Sequence, residues 1–238
     1  MRYDDLGQAR ECMDGGTALA PVEREESLTE KVYRSLRGAL TGGRLAPGQR
    51  LVHRTLAAEL NVSPTPVREA LLRLVSEAAL ELDARGIAWV PRLELPRYRE
   101  IMELRVELEG RAVARATELA TFTDVARLRD LHAGVAEGRR TGNAAQVLRE
   151  NERFHFALLE LARMPVLARV VESLWLQAGP TISLLFRPGT SAVPGAHPHM
   201  DLLAAMAARD PAAARQAMER DLRAHGALIE AALERGGG

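Results

Sequence analysis

Residues 51–74, LVHRTLAAELNVSPTPVREALLRL, carry the pattern that decides the fold of this chain. Apolar residues recur at three- and four-residue spacing on both sides of the break Asn61–Ser63, which predicts two helices joined by a tight turn. Ser63 is a residue type that caps helix N-termini, so we expect the second helix to begin there. Two short helices around such a turn form a helix-turn-helix, in which the second helix reads DNA.

The segments on either side complete a winged helix. Upstream, Thr29 is predicted to cap a first helix, which Gly42–Gly43 ends. Downstream, residues 81–90 change from helical spacing to alternation around Gly86, which predicts two short strands that form a β-hairpin wing. The predicted boundaries are a disordered tail over residues 1–26, a winged helix-turn-helix over residues 27–90 and a proline-containing linker over residues 91–97.

The charge of the chain is balanced overall but uneven along its length. Basic and acidic residues number 32 each. Residues 1–26 contain three basic and seven acidic residues, residues 27–92 contain ten and six, and residues 93–238 contain nineteen of each. A positive excess confined to the predicted winged helix is what a DNA-binding module requires for its phosphate contacts.

The start of the third helix is the candidate DNA-reading surface. Ser63, Thr65 and Arg68 fall at its exposed N-terminal end, where free backbone N–H groups and a guanidinium suit phosphate or guanine. The same pattern is also typical of a helix face that is merely solvated. Spacing alone does not separate these two interpretations.

The segment TPVREAL at residues 65–71, with Pro47–Gly48 before it and Gly86 after it, resembles the DNA-binding domain of the GntR family of bacterial regulators. The resemblance runs from Val32 to about Pro91. Pro64 stands where many members have Arg, which implies one DNA contact fewer in this chain. The DNA-contacting residues that the resemblance implies are Arg54, Ser63, Thr65, Arg68, Arg85 and Gly86.

The second half of the chain is predicted to be an all-helical domain. From residue 98 to residue 235 the helical spacing continues through about six segments, which favours an antiparallel bundle able to enclose a pocket. The whole fold is therefore predicted to be mostly α. Because one winged helix covers little DNA, we expect the bundle to hold a homodimer that reads a palindromic operator of double-stranded DNA.

Residues 97–228 resemble the FCD-type helical effector domain of the FadR branch of that family. The resemblance rests on Arg105 to Glu109, on Asn151 to His155, and on His199 through Leu203 with Arg209–Asp210. Asn151 and His155 are four residues apart and so share a helix face, as two ligands of one ion must. In many members of this branch one Asp and three His bind a metal. The ligand set that the resemblance implies here is Asn151, His155, His199 and Asp221.

Two of these positions, Asn151 and Asp221, depart from the pattern of the branch, although one carboxylate and two imidazoles remain. Such a set suits zinc, nickel or manganese with coordination positions left open. The alternative is that the four groups only line a pocket that binds an acid without metal.

Arg105 is expected to point into the pocket and to pair with the carboxylate of a small organic acid. The alternative for Arg105 is an interhelix ion pair with a neighbouring acid. His225 is expected at the surface. Further contacts to the acid are expected among Trp175, Gln177, Ser183 and Arg187, whereas no partner is predicted for His53, His132 or His197.

Together with these patterns, the two resemblances imply a DNA-binding transcriptional repressor that responds to a small carboxylate. The alternatives are a dimeric regulator that needs no ligand and a helical metal-dependent hydrolase built on His155, His199 and Asp221. The sequence contains no HExxH motif, nucleophile elbow or phosphate-binding loop, which disfavours the hydrolase. We also expect a cytoplasmic protein, because no apolar run is long enough to cross a membrane and no signal peptide is recognisable.

Overall fold

A computed structural model describes residues 27–186 and 197–236 of the chain. The predicted tail, residues 1–26, and Arg187 lie outside the described residues. The elements follow in the order α1 (Leu28–Thr41), β1 (Arg50–Leu51), α2 (His53–Glu59), α3 (Pro64–Ser76), β2 (Glu81–Leu82), β3 (Ala88–Trp89), α4 (Leu95–Leu119), α5 (Phe122–Arg140), α6 (Ala144–Leu161), α7 (Pro165–Ile182), a short 3-10 turn (Ser183–Phe186), α8 (Pro198–Ala207) and α9 (Pro211–Gly236).

The N-terminal part is a winged helix-turn-helix, as predicted. α1 packs on α3, and Leu36, Leu40 and Val67 are buried in the core between these helices. β2 and β3 pair antiparallel as the wing, and β1 pairs with the other edge of β3, so the strand order is β1-β3-β2. The two residues of β1 are too few to show a period, and their pairing depends on a strand that is distant in sequence.

Two predicted boundaries of this part are wrong. Ser27 rather than Thr29 caps α1, because the Ser27 hydroxyl accepts the N–H of Glu30 at 3.2 Å. The Thr29 hydroxyl instead donates to the carboxylate of Glu69 at 2.7 Å and ties α1 to α3. The predicted linker is also shorter than 91–97, since α4 begins at Leu95. Its Pro96 is accommodated in the first helical turn, where a backbone N–H has no helical partner to lose.

The C-terminal part is a bundle of six helices, α4 to α9, as predicted. α4 packs along α9, α5 along α6, and α8 against α9. Thr121 and Asp124 form a capping box that begins α5, and Asn143 caps α6 by accepting the N–H of Gln146 at 3.1 Å. None of the described helices is long and apolar enough to cross a membrane.

Direct packing joins the winged helix to the bundle. Leu176 of α7 is buried in the core of the winged helix, and the hydroxyl of Thr41 at the end of α1 donates to Glu152 of α6 at 2.7 Å. Gly179 lies so close to α1 that an added Cβ would be 2.6 Å from the carbonyl oxygen of Leu40. Glycine at this position therefore permits an approach of α7 to α1 that a side chain would prevent.

Candidate functional site

The predicted DNA-contacting residues of α2 and α3 are exposed. Arg54 lies in the first turn of α2, and Ser63 precedes α3 with Pro64 as the first helical residue. The Ser63 hydroxyl makes no capping hydrogen bond, contrary to the role expected for it, and so stays available to a ligand. Thr65 and Arg68 are three residues apart and share one exposed face of α3.

The wing tip is held by one carboxylate. Asp83 accepts the backbone N–H groups of Arg85 and Ile87, each at 2.9 Å, and pairs with the guanidinium of Arg50. The hydrogen bond from Ile87, with those from Arg50 and Arg85, holds the pKa of Asp83 below its usual range. Gly86 adopts a φ of 76°, which glycine reaches without strain. The predicted contact residues Arg85 and Gly86 are thus exposed on an ordered turn.

Arg105 is paired inside the protein. Its Nε donates to the Oε1 of Glu109 at 2.7 Å, and its guanidinium lies 4.2 Å from the centre of the Trp175 ring. Both Arg105 and Glu109 are buried. The ion-pair alternative is therefore present, but within α4 rather than between helices.

Glu109 also orients a histidine. Its second carboxylate oxygen lies 2.8 Å from Nδ1 of His155, and Trp175 donates its indole N–H to the first at 3.1 Å. Burial would raise the pKa of Glu109, but the charges of Arg105 and His155 hold it below the usual range. An Nδ1–H bonded to a carboxylate leaves Nε2 of His155 as the atom that faces away from Glu109. Sequence reasoning missed this role of Glu109, although its spacing from Arg105 places both on one helix face.

His155, His199 and Asp221 converge from three helices, α6, α8 and α9. The Oδ2 of Asp221 lies 3.4 Å from Nε2 of His155 and 3.8 Å from Nε2 of His199. All three side chains are buried, and each offers a ligand atom within 4.8 Å of the others. Three of the four predicted metal ligands are therefore brought together.

Three further histidines surround this cluster. Nδ1 of His132 lies 3.4 Å from Nδ1 of His199, and Nδ1 of His197 lies 3.8 Å from the Oδ1 of Asp221. His225 is half-buried rather than at the surface, with Nδ1 2.9 Å from the backbone oxygen of Asp221. The expectations for His132, His197 and His225 are wrong, because their partners come from other helices or from the backbone. One feature of the sequence indicated a larger histidine cluster, namely that His197 stands two residues before His199.

Several polar atoms of the cluster are buried without a hydrogen-bond partner among the described residues. They are Nε2 of His197, Nε2 of His199 and Oδ1 of Asp221. Burial lowers the pKa of His197 to about 3 and that of His199 well below its usual value. Burial would raise the pKa of Asp221, but His199, His155 and His225 hold it well below its usual range.

His155 differs from these two neighbours. Burial alone would lower its pKa, but hydrogen bonds to Asp221 and Glu109 and their charges raise it to about 9. The cluster therefore contains neutral imidazoles, a carboxylate and one imidazole that two carboxylates favour in the cationic form.

A cavity of about 310 Å³ opens beside the cluster. Asn151, His155 and Asp221 contribute to its lining, as do Arg105 and Trp175. The Asn151 side chain has no hydrogen bond to His155, His199 or Asp221 within the described part of the chain. Asn151 shares the cavity lining with His155 and Asp221. Gln177 of α7 instead bonds to Arg97 and Ser173.

The donor set fits a divalent cation. Neutral imidazole nitrogens and a carboxylate oxygen are ligands that zinc and its neighbours prefer, and the unpartnered Nε2 of His199 and Oδ1 of Asp221 need a partner. The Glu109–His155 contact adds the carboxylate that commonly orients a metal-binding imidazole.

Two protein families match the chain over separate ranges. The family described as "Bacterial regulatory proteins, gntR family" matches residues 28–90, and the FCD domain matches residues 100–224. Each range lies within one of the two parts of the fold.

The chain is also similar to individual proteins. It is 35% identical over 206 residues to the HTH-type transcriptional regulator McbR of Escherichia coli (strain K12), which covers 85% of this chain and 93% of McbR. The Nta operon transcriptional regulator of Aminobacter aminovorans is 38% identical over 130 residues, 54% of this chain and 60% of that protein. The solved structure of E. coli McbR/YncC superposes with a TM-score of 0.83 at 34% identity, over 90% of this chain and 100% of that one.

Proposed function

Because the chain belongs to the GntR family of bacterial regulatory proteins and contains an FCD domain, we propose that it is a transcriptional repressor. It binds palindromic DNA as a homodimer, and a small organic acid releases it from the DNA. Like the relatives it matches, it is a transcriptional regulator and not an enzyme, so the hydrolase alternative is wrong.

The DNA contacts in this proposal come from α2, α3 and the wing. Arg54, Ser63, Thr65 and Arg68 are exposed around the start of α3, and Arg85 and Gly86 are exposed on the wing. The winged helix has more basic than acidic residues, which favours phosphate contacts. Two copies related by a two-fold axis would double a contact that is small for one head, which supports a homodimer and a palindromic operator.

The observation that carries the effector site is the set of buried, unpartnered polar atoms beside the cavity. His155, His199 and Asp221 would hold the ion, and Asn151 would face the acid from the cavity wall. A bound zinc, nickel or manganese ion would supply open coordination positions for a carboxylate. Glu109 keeps Nε2 of His155 directed away from itself, and Arg105 compensates the charge of Glu109.

Helix α6 connects this site to the winged helix-turn-helix. Asn151 lines the cavity and His155 belongs to the cluster, whereas Glu152 accepts the hydroxyl of Thr41 at the end of α1. The guanidinium of Arg37 in α1 lies 5.7 Å from the centre of the Phe156 ring. An acid that shifts α6 would therefore act on α1 directly, and a difference in affinity for two arrangements would change the placement of the heads.

The test is the double variant His155→Ala with His199→Ala, compared with wild type. We expect wild type to take up zinc, measured by elemental analysis, and to leave its operator in a mobility-shift assay when organic acids are added. The double variant should bind the operator without taking up zinc or responding to acid. Acid release that persists in this variant would contradict the site, and wild type that no acid affects would support a ligand-independent regulator.

A further inference from the structure

The cavity is lined by two arginines whose surroundings differ. Arg105 is buried, and its charge is compensated inside the protein by Glu109. Its guanidinium is also covered by the Trp175 ring. A ligand that neutralised Arg105 would have to compete with a carboxylate already bonded at 2.7 Å.

Arg139 has no such partner. It lies in the last turn of α5, reaches from the exposed surface to the cavity lining, and places Nη2 3.1 Å from Nε2 of His225. Among the described residues no carboxylate lies within ion-pair distance of Arg139, whereas the adjacent Arg140 pairs with Glu137 at 2.6 Å. Burial lowers the pKa of Arg139 and the charge of Asp221 opposes that effect, but a guanidinium stays charged in proteins.

The charges around the cavity indicate how many negative groups a ligand must bring. The charges of Arg105 and Glu109 cancel each other. A metal-bound His155 would be neutral, so Asp221 would balance one of the two charges of a divalent ion and leave one positive charge at the cluster. Arg139 provides a second positive charge at the cavity wall. A ligand with two negative groups would pair with both positive charges, so such a ligand is favoured over one with a single negative group.

The rest of the lining fits an aliphatic connection between two such groups. Ile182, Leu222 and Leu228 are among the residues that line the cavity, whose volume of about 310 Å³ exceeds what a single carboxylate needs. The planar fork of an arginine matches a carboxylate through two parallel hydrogen bonds.

We propose that the effector is a dicarboxylic acid, with one carboxylate at the His155–His199–Asp221 cluster and the other held by Arg139. This inference rests on the proposed function of the cavity as an effector site. It assigns to Arg139 the recognition of charge that the sequence suggested for Arg105.

The experiment uses the full chain loaded with zinc and four probes of matched length. Calorimetry compares succinate with butyrate and adipate with hexanoate, for wild type, Arg139→Gln and the control Arg140→Gln. We expect a diacid to bind wild type at least about tenfold more tightly than its matched monoacid, because a charge-assisted pair is added. The preference should disappear in Arg139→Gln and remain in Arg140→Gln, with zinc content and circular dichroism unchanged in all three.

Two results would overturn this inference and leave the proposed function standing. One is wild type that binds each diacid and its monoacid equally well, and the other is a diacid preference that survives in Arg139→Gln. Wild type that takes up zinc but binds none of the four acids would instead count against the proposed effector class, and the inference would fall with it.

Discussion

At the scale of single residues, Glu109 connects three side chains of the candidate site without being one of the predicted ligands. Its carboxylate compensates Arg105, accepts from Trp175 and orients His155, all while buried. Removing one member of a buried charge pair is costly because its partner stays behind unpaired. Glu109 is therefore expected to matter for metal binding without touching the ion.

We predict that Glu109→Gln weakens zinc binding by roughly 10- to 100-fold, the usual effect of losing a carboxylate that orients a metal-binding imidazole. Competition with a chelator would measure the change. Glu107→Gln is the matched control, since Glu107 is exposed on the same helix and pairs with Arg215 at the surface. Equal zinc affinity in both variants would show that Glu109 does not orient a ligand.

The raised pKa of His155 makes the stability of the metal-free protein depend on pH. Its pKa is about 9 in the folded chain and 6.5 as the ordinary value, so folding favours the protonated form. This contribution to stability is complete below pH 6.5 and is lost as the pH rises through 9. We predict that the melting temperature in EDTA falls over this range, and falls less in His155→Gln. The same decline in both proteins would assign it to other groups.

At the scale of elements, α3 combines a packed face with a free one. Val67, Leu71 and Leu74 are buried against the rest of the winged helix, while Thr65 and Arg68 are exposed. A helix fixed in this way can enter a groove without rearranging. The affinity for DNA should therefore be sensitive to the exposed face, and the fold to the buried one.

We predict that Arg68→Ala weakens operator binding by about 1–3 kcal/mol if Arg68 reads a base, with little change in thermal stability. Footprinting and mobility-shift titration measure this. Arg127→Ala serves as the control, because Arg127 is also exposed but lies on α5 in the bundle, where it faces Glu160. An Arg68→Ala variant that protects the operator as wild type does would place the reading face elsewhere.

At the scale of the whole molecule, the winged helix and the bundle are packed together rather than merely tethered. Leu176 of α7 is buried within the winged-helix core, and Arg37 of α1 pairs with Glu172 of α7 at 3.3 Å. The close approach of Gly179 to the backbone of Leu40 is part of this contact. Coupling between effector and DNA would pass through this contact as well as through the short connection to α4.

Gly179→Ala is predicted to uncouple the two parts. Its Cβ would lie 2.6 Å from the oxygen of Leu40 and 2.7 Å from Cα of Thr41, so α1 and α7 must separate. We expect zinc uptake and operator binding to persist while release by acid is reduced, in a mobility-shift assay. Gly38→Ala is the control, because its Cβ would meet only an ordinary contact at 3.8 Å. Normal release in Gly179→Ala would exclude this contact as the route.

The sequence by itself determined the elements of this protein. The apolar spacing of residues 51–74, the alternation around Gly86 and the breaks near Thr121 and Asn143 are local, because helices and hairpins depend on neighbours a few residues away. A winged helix with a six-helix bundle followed from them. The resemblance to a known family added His155, His199 and Asp221, which the structure places together.

Only the tertiary structure decided which side chains meet. His132 and His199 come from α5 and α8, Glu109 reaches His155 from α4, and Arg139 arrives at the cavity from the end of α5. The sequence therefore left His132 without a partner, and it predicted an acid ligand for Arg105, which Glu109 already pairs with inside the protein. Burial and pairing depend on how helices distant in sequence pack, and periodicity along one helix contains no information on the residues of the helix it faces.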